Sequence, residues 1–297
     1  MISAPAGEVP RNANLTHFAA LLTGNFALAV GAWFVRLADS GPVSAAFWRL
    51  LLPLPLLALL AWREREPLAD FGLRNWAAMA LAGFIFALDL TSWHLGIEQT
   101  RLGNATLFGN SGSILLMIWG LFVTRHSPSA AEIAAVVLAL TGASVMLGRS
   151  LEIDRSTLNG DFLCILAGVF YVCYLLLIKQ ARTCFGGWSL LLYSTAASTP
   201  FMFGIAIRLG EPIWPHNWWP LIALALGSQI IGQGLLFYSL RHFSAAILGV
   251  VLLTQPMIGI VIGWLAYGET MGAIDLFGMA MLAAALVLAG MSERERN

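Results

Sequence analysis

Residues Ser244 to Tyr267 read SAAILGVVLLTQPMIGIVIGWLAY, twenty-four positions without an Asp, Glu, Lys or Arg. A helix rises about 1.5 Å per residue, and about twenty apolar residues cross the hydrocarbon core of a bilayer. The run therefore predicts a membrane-crossing helix with Pro256 near its middle. The same reading extends outward. Upstream lie Leu15–Leu37, Val43–Trp62, Trp76–Leu95, Asn104–Val123, Ala130–Gly148, Gly160–Lys179, Trp188–Leu209 and Trp218–Leu240; downstream lies Met271–Met291. Helix-breaking or charged residues punctuate them: Ser40-Gly41-Pro42, Arg63 through Pro67, Ser127-Pro128, Gly186-Gly187, Pro212 through Pro215, and Gly268-Glu269. The expectation is an all-α membrane protein of ten transmembrane helices with short connections.

Composition agrees. Of 297 residues 59% are hydrophobic and 11% charged, less than half the ~25% of a soluble domain. Mean hydropathy is +0.78. Too few polar side chains remain to wet a soluble globule, which excludes a soluble enzyme and a disordered chain. Sixteen Lys+Arg balance sixteen Asp+Glu, so the basic excess of a nucleic-acid binder is missing. Cys164, Cys173 and Cys184 have no metal-ligand spacing and read as small apolar packing residues. No cofactor or metal is expected. The first apolar run is too long for a signal-peptide core and reads as a retained helix.

Cations set the orientation. The N-terminus, the even-numbered connections and the C-terminus hold ten: Arg11, Arg63, Arg65, Arg74, Arg125, Lys179, Arg182, Arg241, Arg294 and Arg296. The odd connections hold five, Arg36, Arg101, Arg149, Arg155 and Arg208, and Arg49 falls inside the second span. Both termini are expected in the cytoplasm. The chain divides into a tail 1–14, a five-helix unit 15–148, a connection 149–159, a second five-helix unit 160–291 and a tail 292–297. Arg101-Leu-Gly-Asn-Ala-Thr opens the fourth span much as Arg241-His-Phe-Ser-Ala-Ala opens the ninth. An odd number of spans per half inserts the second half upside down, giving two inverted five-helix repeats with a site near the bilayer midplane between them.

Polar side chains in hydrocarbon are costly and face the interior of a bundle. Asn25, Asn110, Gln229, Gln233 and Gln255 fall at mid-depth, and Asp89, Ser92, Trp93 and His94 cluster toward the end of the third span. Gln229 and Gln233 are four apart and share a helix face that Phe237 continues, with Tyr238 beside it. Tyr171 and Tyr174 are three apart in the sixth span. Together Asn25, Asp89, Trp93, His94, Asn110, Tyr171, Tyr174, Gln229, Gln233, Tyr238 and Gln255 are the candidate substrate contacts. Neutral amides and ring faces suit an amphipathic zwitterion such as an amino acid. The same amides also serve as interhelical glue. Asp89, a carboxylate within an apolar run, is a candidate for proton coupling. Arg49 reads as a structural cation, Glu269 as ordering a turn or helix start, and Pro256 as a kink and gating hinge. Gly259 and Gly263 form a close-packing face.

Several features together resemble the drug/metabolite transporter superfamily, EamA type: Gly41-Pro42 leading into Ala-Phe-Trp-Arg49-Leu, then Leu-Leu-Thr-Gln-Pro256-Met-Ile-Gly and Tyr267-Gly-Glu269. The resemblance covers essentially the whole chain. The first half departs from the pattern, with Ser111-Gly112-Ser113 where a Pro is common and His126 near the usual Gly-Glu pair. Within the superfamily the chain is similar to the aromatic amino-acid and paraquat exporters. The resemblance implies a multi-pass carrier of a bacterial inner membrane, exporting a small-molecule substrate from the cytoplasm and driven by gradients. The substrate expected is an amino acid or a similar amphipathic metabolite, with other drugs as the alternative. The bilayer is the one large partner expected, and the chain is expected to act as a monomer.

The rival from another class is an intramembrane serine hydrolase. Gly109-Asn110-Ser111-Gly112 matches a Gly-x-Ser-Gly nucleophile signature, but Ser111 would need a histidine base within reach. Of His17, His94, His126, His216 and His242, only His94 falls near the membrane interior. A phosphate-loop pump is excluded, because Lys179 is the one lysine and no Gly-x4-Gly-Lys-Ser/Thr is present.

Overall fold

A computed structural model describes residues 15–64, 72–123, 129–150, 157–182 and 185–295. The tail 1–14, residues 151–156 of the central connection, and Arg65, Arg125, His126, Cys184 and Arg296 lie outside the described residues. The rest is helical: α1 Leu15–Leu37, α2 Pro42–Leu51, α3 Leu54–Glu64, α4 Gly72–Gln99, α5 Leu102–Gly109, α6 Ser111–Val123, α7 Ala130–Ser150, α8 Leu158–Ala181 and α9 Gly187–Leu209. Then follow α10 Trp219–Leu224, a π-helical segment Ala225–Gln233, α11 Gly234–Ser239, α12 Ala245–Leu252, α13 Gln255–Tyr267 and α14 Ala273–Glu295. Eight stretches are long and apolar enough to cross a membrane, and Ala130–Met146 is a shorter apolar one. With the pair α5/α6 they make ten crossings.

Breaks within spans have local causes. Pro53 lacks an N–H and its ring crowds the preceding turn, so the second span divides into α2 and α3. Pro256 stands in the first turn of α13, where a missing N–H costs least, and the ninth span divides just before it. The fourth span divides at Asn110 without a proline; there the Asn110 amide donates back to Thr106 O at 2.7 Å. Helix α13 stops at Gly268, whose φ of 65° is left-handed and suits a residue without a side chain.

The two halves repeat at nearly the same interval, and three pairs of helix starts match it to the residue. Helix α1 begins at residue 15 and α8 at 158, α5 at 102 and α12 at 245, α7 at 130 and α14 at 273; each pair is 143 positions apart. The relationship is antiparallel. Near the start of α1, His17 stacks on His242 at 3.9 Å, while near its end Phe34 meets Trp219 at 5.9 Å. Arg36, at the end of α1, reaches the end of α4. Its counterpart Lys179, at the end of α8, reaches the carbonyls of Leu240 and Phe243 beside His242, at the opposite end of the bundle. Gly290 of α14 faces the Phe18 ring, so both ends of the described chain share one end of the bundle.

Close packing follows small residues. A Cβ on Gly259 would run into Thr106 of α5, so this glycine lets α13 approach α5. Lipid-facing positions carry large apolar side chains, among them Leu81, Phe84, Trp119, Ile207, Leu265 and Phe277, all exposed. Trp214 and Trp219 are exposed at the end opposite the termini, and Trp218 packs on Trp48 at 4.9 Å between ring centres.

Candidate functional site

A cavity of about 60 Å³ lies where the halves meet. Its wall draws on both: Leu28, Arg49, Phe86, Asp89, Trp93, Thr106 and Asn110 from the first, Tyr171, Gln233 and Gln255 from the second. Asp89 is eight residues before Ile97 on α4, so it lies about 12 Å from that end of the bundle. Gln233 is seven before Leu240, about 10 Å from the other end. The cavity is thus at mid-depth. A buried water needs roughly 10–15 Å³, so several waters or a small polar group fit.

Helix breaks supply much of its polar wall. Gln255 opens α13; its Nε2 donates to Asn25 Oδ1 at 2.9 Å, and its Oε1 accepts from Asn110 Nδ2 at 3.3 Å. Asn25 Nδ2 in turn donates to Thr254 Oγ1 at 2.9 Å and to Val251 O at 3.0 Å. The carbonyl of Val251, at the end of the interrupted helix, also accepts from Thr254 N and Thr254 Oγ1. These bonds supply donors at a helix break in a setting where an unpaired carbonyl costs several kcal/mol. On the facing wall Gln233 Nε2 donates to Tyr171 OH at 3.3 Å. Arg49 Nε donates to Gln229 Oε1 at 3.4 Å, and Gln229 Nε2 donates to Thr195 Oγ1 at 2.9 Å. The Arg49 guanidinium lies 5.9 Å from the centre of the Trp93 ring.

The candidate residues separate into four groups. Asp89, Trp93, Asn110, Tyr171, Gln233 and Gln255 form part of the cavity wall. Asn25 and Gln229 stand one layer behind it as hydrogen-bond supports, and Pro256 is buried at the helix break. Tyr174 is fully buried, bonded to Ser194 Oγ at 3.0 Å and stacked on Phe86 at 4.4 Å; His94 is fully buried and edge-on to Trp93. Tyr238 lies elsewhere, 38% exposed beside His17 and His242, because it points away from the face that Phe237 buries. Arg49, read from sequence as structural, is on the wall, so that wall is not made of uncharged groups alone. Phe86 and Thr106 were missed, since one aromatic or one threonine in an apolar run gives no signal. Ser111 Oγ is buried, with no hydrogen-bond partner among the described residues.

Both ends of the bundle are stitched by charged side chains. Opposite the termini, Arg36 donates to Ile97 O at 3.2 Å and to Thr100 O, pairs with Glu269 at 3.7 Å and lies 5.2 Å from the centre of the Tyr267 ring. Glu269 also accepts from Leu102 N, so it caps the start of α5 rather than its own turn. At the terminal end Lys179 Nζ donates to Leu240 O at 2.6 Å and Phe243 O at 2.7 Å. Glu211 accepts from Val43 N and Ser44 N at the start of α2, and Glu64 accepts from Trp188 N and Ser189 N at the start of α9.

A ten-crossing bundle of two inverted halves around a mid-depth polar cavity is the architecture of a secondary transporter. Residues 15–148 and 158–291 each match the EamA-like transporter family. The chain belongs to that family. It is similar to the threonine/homoserine exporter RhtA of Escherichia coli strain K12, with 24% identity over 270 residues covering 91% of this chain and 84% of the relative. It is also 24% identical to an uncharacterized transporter of Archaeoglobus fulgidus, over 79% of this chain and 83% of that one. A solved crystal structure shares the fold, with a TM-score of 0.70 at 16% identity over 94% of this chain and 97% of that one.

Proposed function

We propose that the protein exports amino acids, neutral and aromatic ones included, across a bacterial inner membrane by alternating access. The mid-depth cavity between inverted halves, walled by both, is the observation that carries this reading. Rocking one half against the other would expose that cavity to each side in turn, with Pro256 and the Asn110 break as hinges. The cation bias in the connections favours termini in the cytoplasm. The named relative RhtA favours amino acids over other amphipathic metabolites or drugs. One chain walls the cavity, which suits a monomer. Membership of a transporter family favours transport over catalysis.

The test is the purified protein in liposomes, loaded with a panel of amino acids and assayed for counterflow of each labelled form, with and without a pH gradient. Saturable counterflow of neutral amino acids is expected. Movement of nucleotide sugars with no movement of neutral amino acids overturns the reading.

A further inference from the structure

Two opposite charges on the cavity wall have no charged partner within 4.0 Å among the described residues. Arg49 is 3% exposed and Asp89 6% exposed, on different helices, and each feels the other's charge. No ion pair within 4.0 Å joins Arg49 and Asp89. The hydrogen bond described for Arg49 is the long one from Nε to Gln229, and Gln229 is itself oriented by Thr195. The terminal amino groups of the guanidinium, four of its five N–H donors, have no described protein acceptor, and the Asp89 carboxylate has no described protein donor. Buried charges in membrane proteins are paired, because an unpaired one costs several kcal/mol. Here both are left open toward one shared space.

We infer that Arg49 and Asp89 form a two-point receptor for the head group of a zwitterion, the guanidinium taking its carboxylate and Asp89 its ammonium. A planar guanidinium fork matches a carboxylate. Tyr171, whose oxygen already accepts from Gln233, keeps its O–H proton to donate into the same space. The cavity of about 60 Å³ suits the head group itself, of about five non-hydrogen atoms. Gln229 is a positioning residue for Arg49. The amides Gln233, Gln255 and Asn110 surround the head group without carrying its charge. This assignment rests on the proposed amino-acid export and names the residues that set its specificity.

Competition in the liposome assay tests it, with labelled L-threonine as the moving species. The competitors are unlabelled L-threonine, its amino alcohol, which lacks the carboxylate, and its dihydroxy acid, which lacks the ammonium. In the wild type each analogue should compete about tenfold or more weakly, since a site built for a polar group rejects the analogue lacking it. Asp89→Asn should erase the preference over the dihydroxy acid and keep that over the amino alcohol; Arg49→Gln should do the reverse. Arg49→Lys and Asp89→Glu retain the charges, serve if the neutral variants fail to fold, and should keep both preferences at weaker affinity. Preferences unchanged within about twofold in Asp89→Asn and Arg49→Gln overturn the receptor, as does loss of both preferences in the charge-conserving pair. A wild type that moves no amino acid sinks the transport reading instead, so the two failures are distinguishable.

Discussion

Glu64 and Glu211 cap each other's half of the molecule. Glu211, just after α9, holds the first two N–H groups it reaches in α2, at 3.3 and 2.8 Å; Glu64, at the end of α3, holds those of α9, at 3.2 and 2.9 Å. The capped positions, Val43-Ser44 and Trp188-Ser189, are equivalent in the two repeats. Each carboxylate closes a helix start with charge and hydrogen bonds together. The Ser189 hydroxyl adds a third bond to Glu64 at 2.9 Å.

Glu64→Ala and Glu211→Ala should each destabilise the purified protein by about 1–2 kcal/mol. Glutamine at either place keeps the acceptor and should cost less. The sites are at opposite ends of the bundle, so the double variant should show the sum of the single effects. Thermal unfolding in detergent measures all of these, and strong non-additivity would contradict independent caps.

Arg36 and Lys179 should contribute to stability through main-chain carbonyls. Each bonds two carbonyls located 61 and 64 residues further along the chain. Arg36→Ala and Lys179→Ala should each cost about 2–3 kcal/mol, as charged hydrogen bonds do. Glu269→Gln removes charge from the Arg36 pair and keeps an acceptor for Leu102 N, so its cost should be under about 1 kcal/mol. Unfolding midpoints give the order, and Glu269→Gln as the most damaging of the three would refute it.

The turn between α11 and α12 should make stability depend on acidity. Burial, together with the neighbouring His17, Arg241 and Arg182, lowers the pKa of His242 from 6.5 to about 4. Facing it are His17, stacked at 3.9 Å, and the Tyr238 ring at 5.1 Å. The folded state prefers the neutral imidazole, so this contribution is complete above pH 6.5 and is lost as pH falls toward 4. The effect is modest, because part of the ring is in contact with solvent. Melting curves across that range should fall less steeply for His242→Gln than for the wild type. Identical slopes would remove His242 from the account.

Asn25 and Gln233 should differ in what they control. Asn25→Ala strips a donor from Val251 O and a partner from Gln255, and should cost about 1–3 kcal/mol of stability with little change in substrate preference. Gln233→Ala leaves a Tyr171 contact open and should change affinity for the transported species more than stability. Paired melting and counterflow measurements separate the two; a reversal of the pattern would exchange their roles.

Much of this was readable from residues alone. Apolar runs long enough to span gave the number of crossings, since a bilayer demands internal pairing of every backbone group. Boundaries differed where polar or proline residues extend or divide helices: α4 runs from Gly72 to Gln99, beyond the apolar stretch Trp76–Leu95, and Val43–Trp62 became α2 and α3 at Pro53. The π-helical segment Ala225–Gln233, which packs against α1, has no local signature in the sequence. The amides were visible as costly groups in hydrocarbon, yet which ones face the cavity depended on helix rotation. Glu64 reads as loop punctuation, Arg36 and Lys179 read only as cations that set orientation, and Glu211 gives no signal, since their partners are backbone groups of distant helices.

The stitches at the two ends share a plan and differ in chemistry. One end has an arginine with a glutamate at 3.7 Å; the other has a lysine bonded to carbonyls, with no carboxylate within 4.0 Å among the described residues. The two ends are therefore held by contacts of unequal chemistry, and in the proposed alternating cycle the two ends should open at unequal cost.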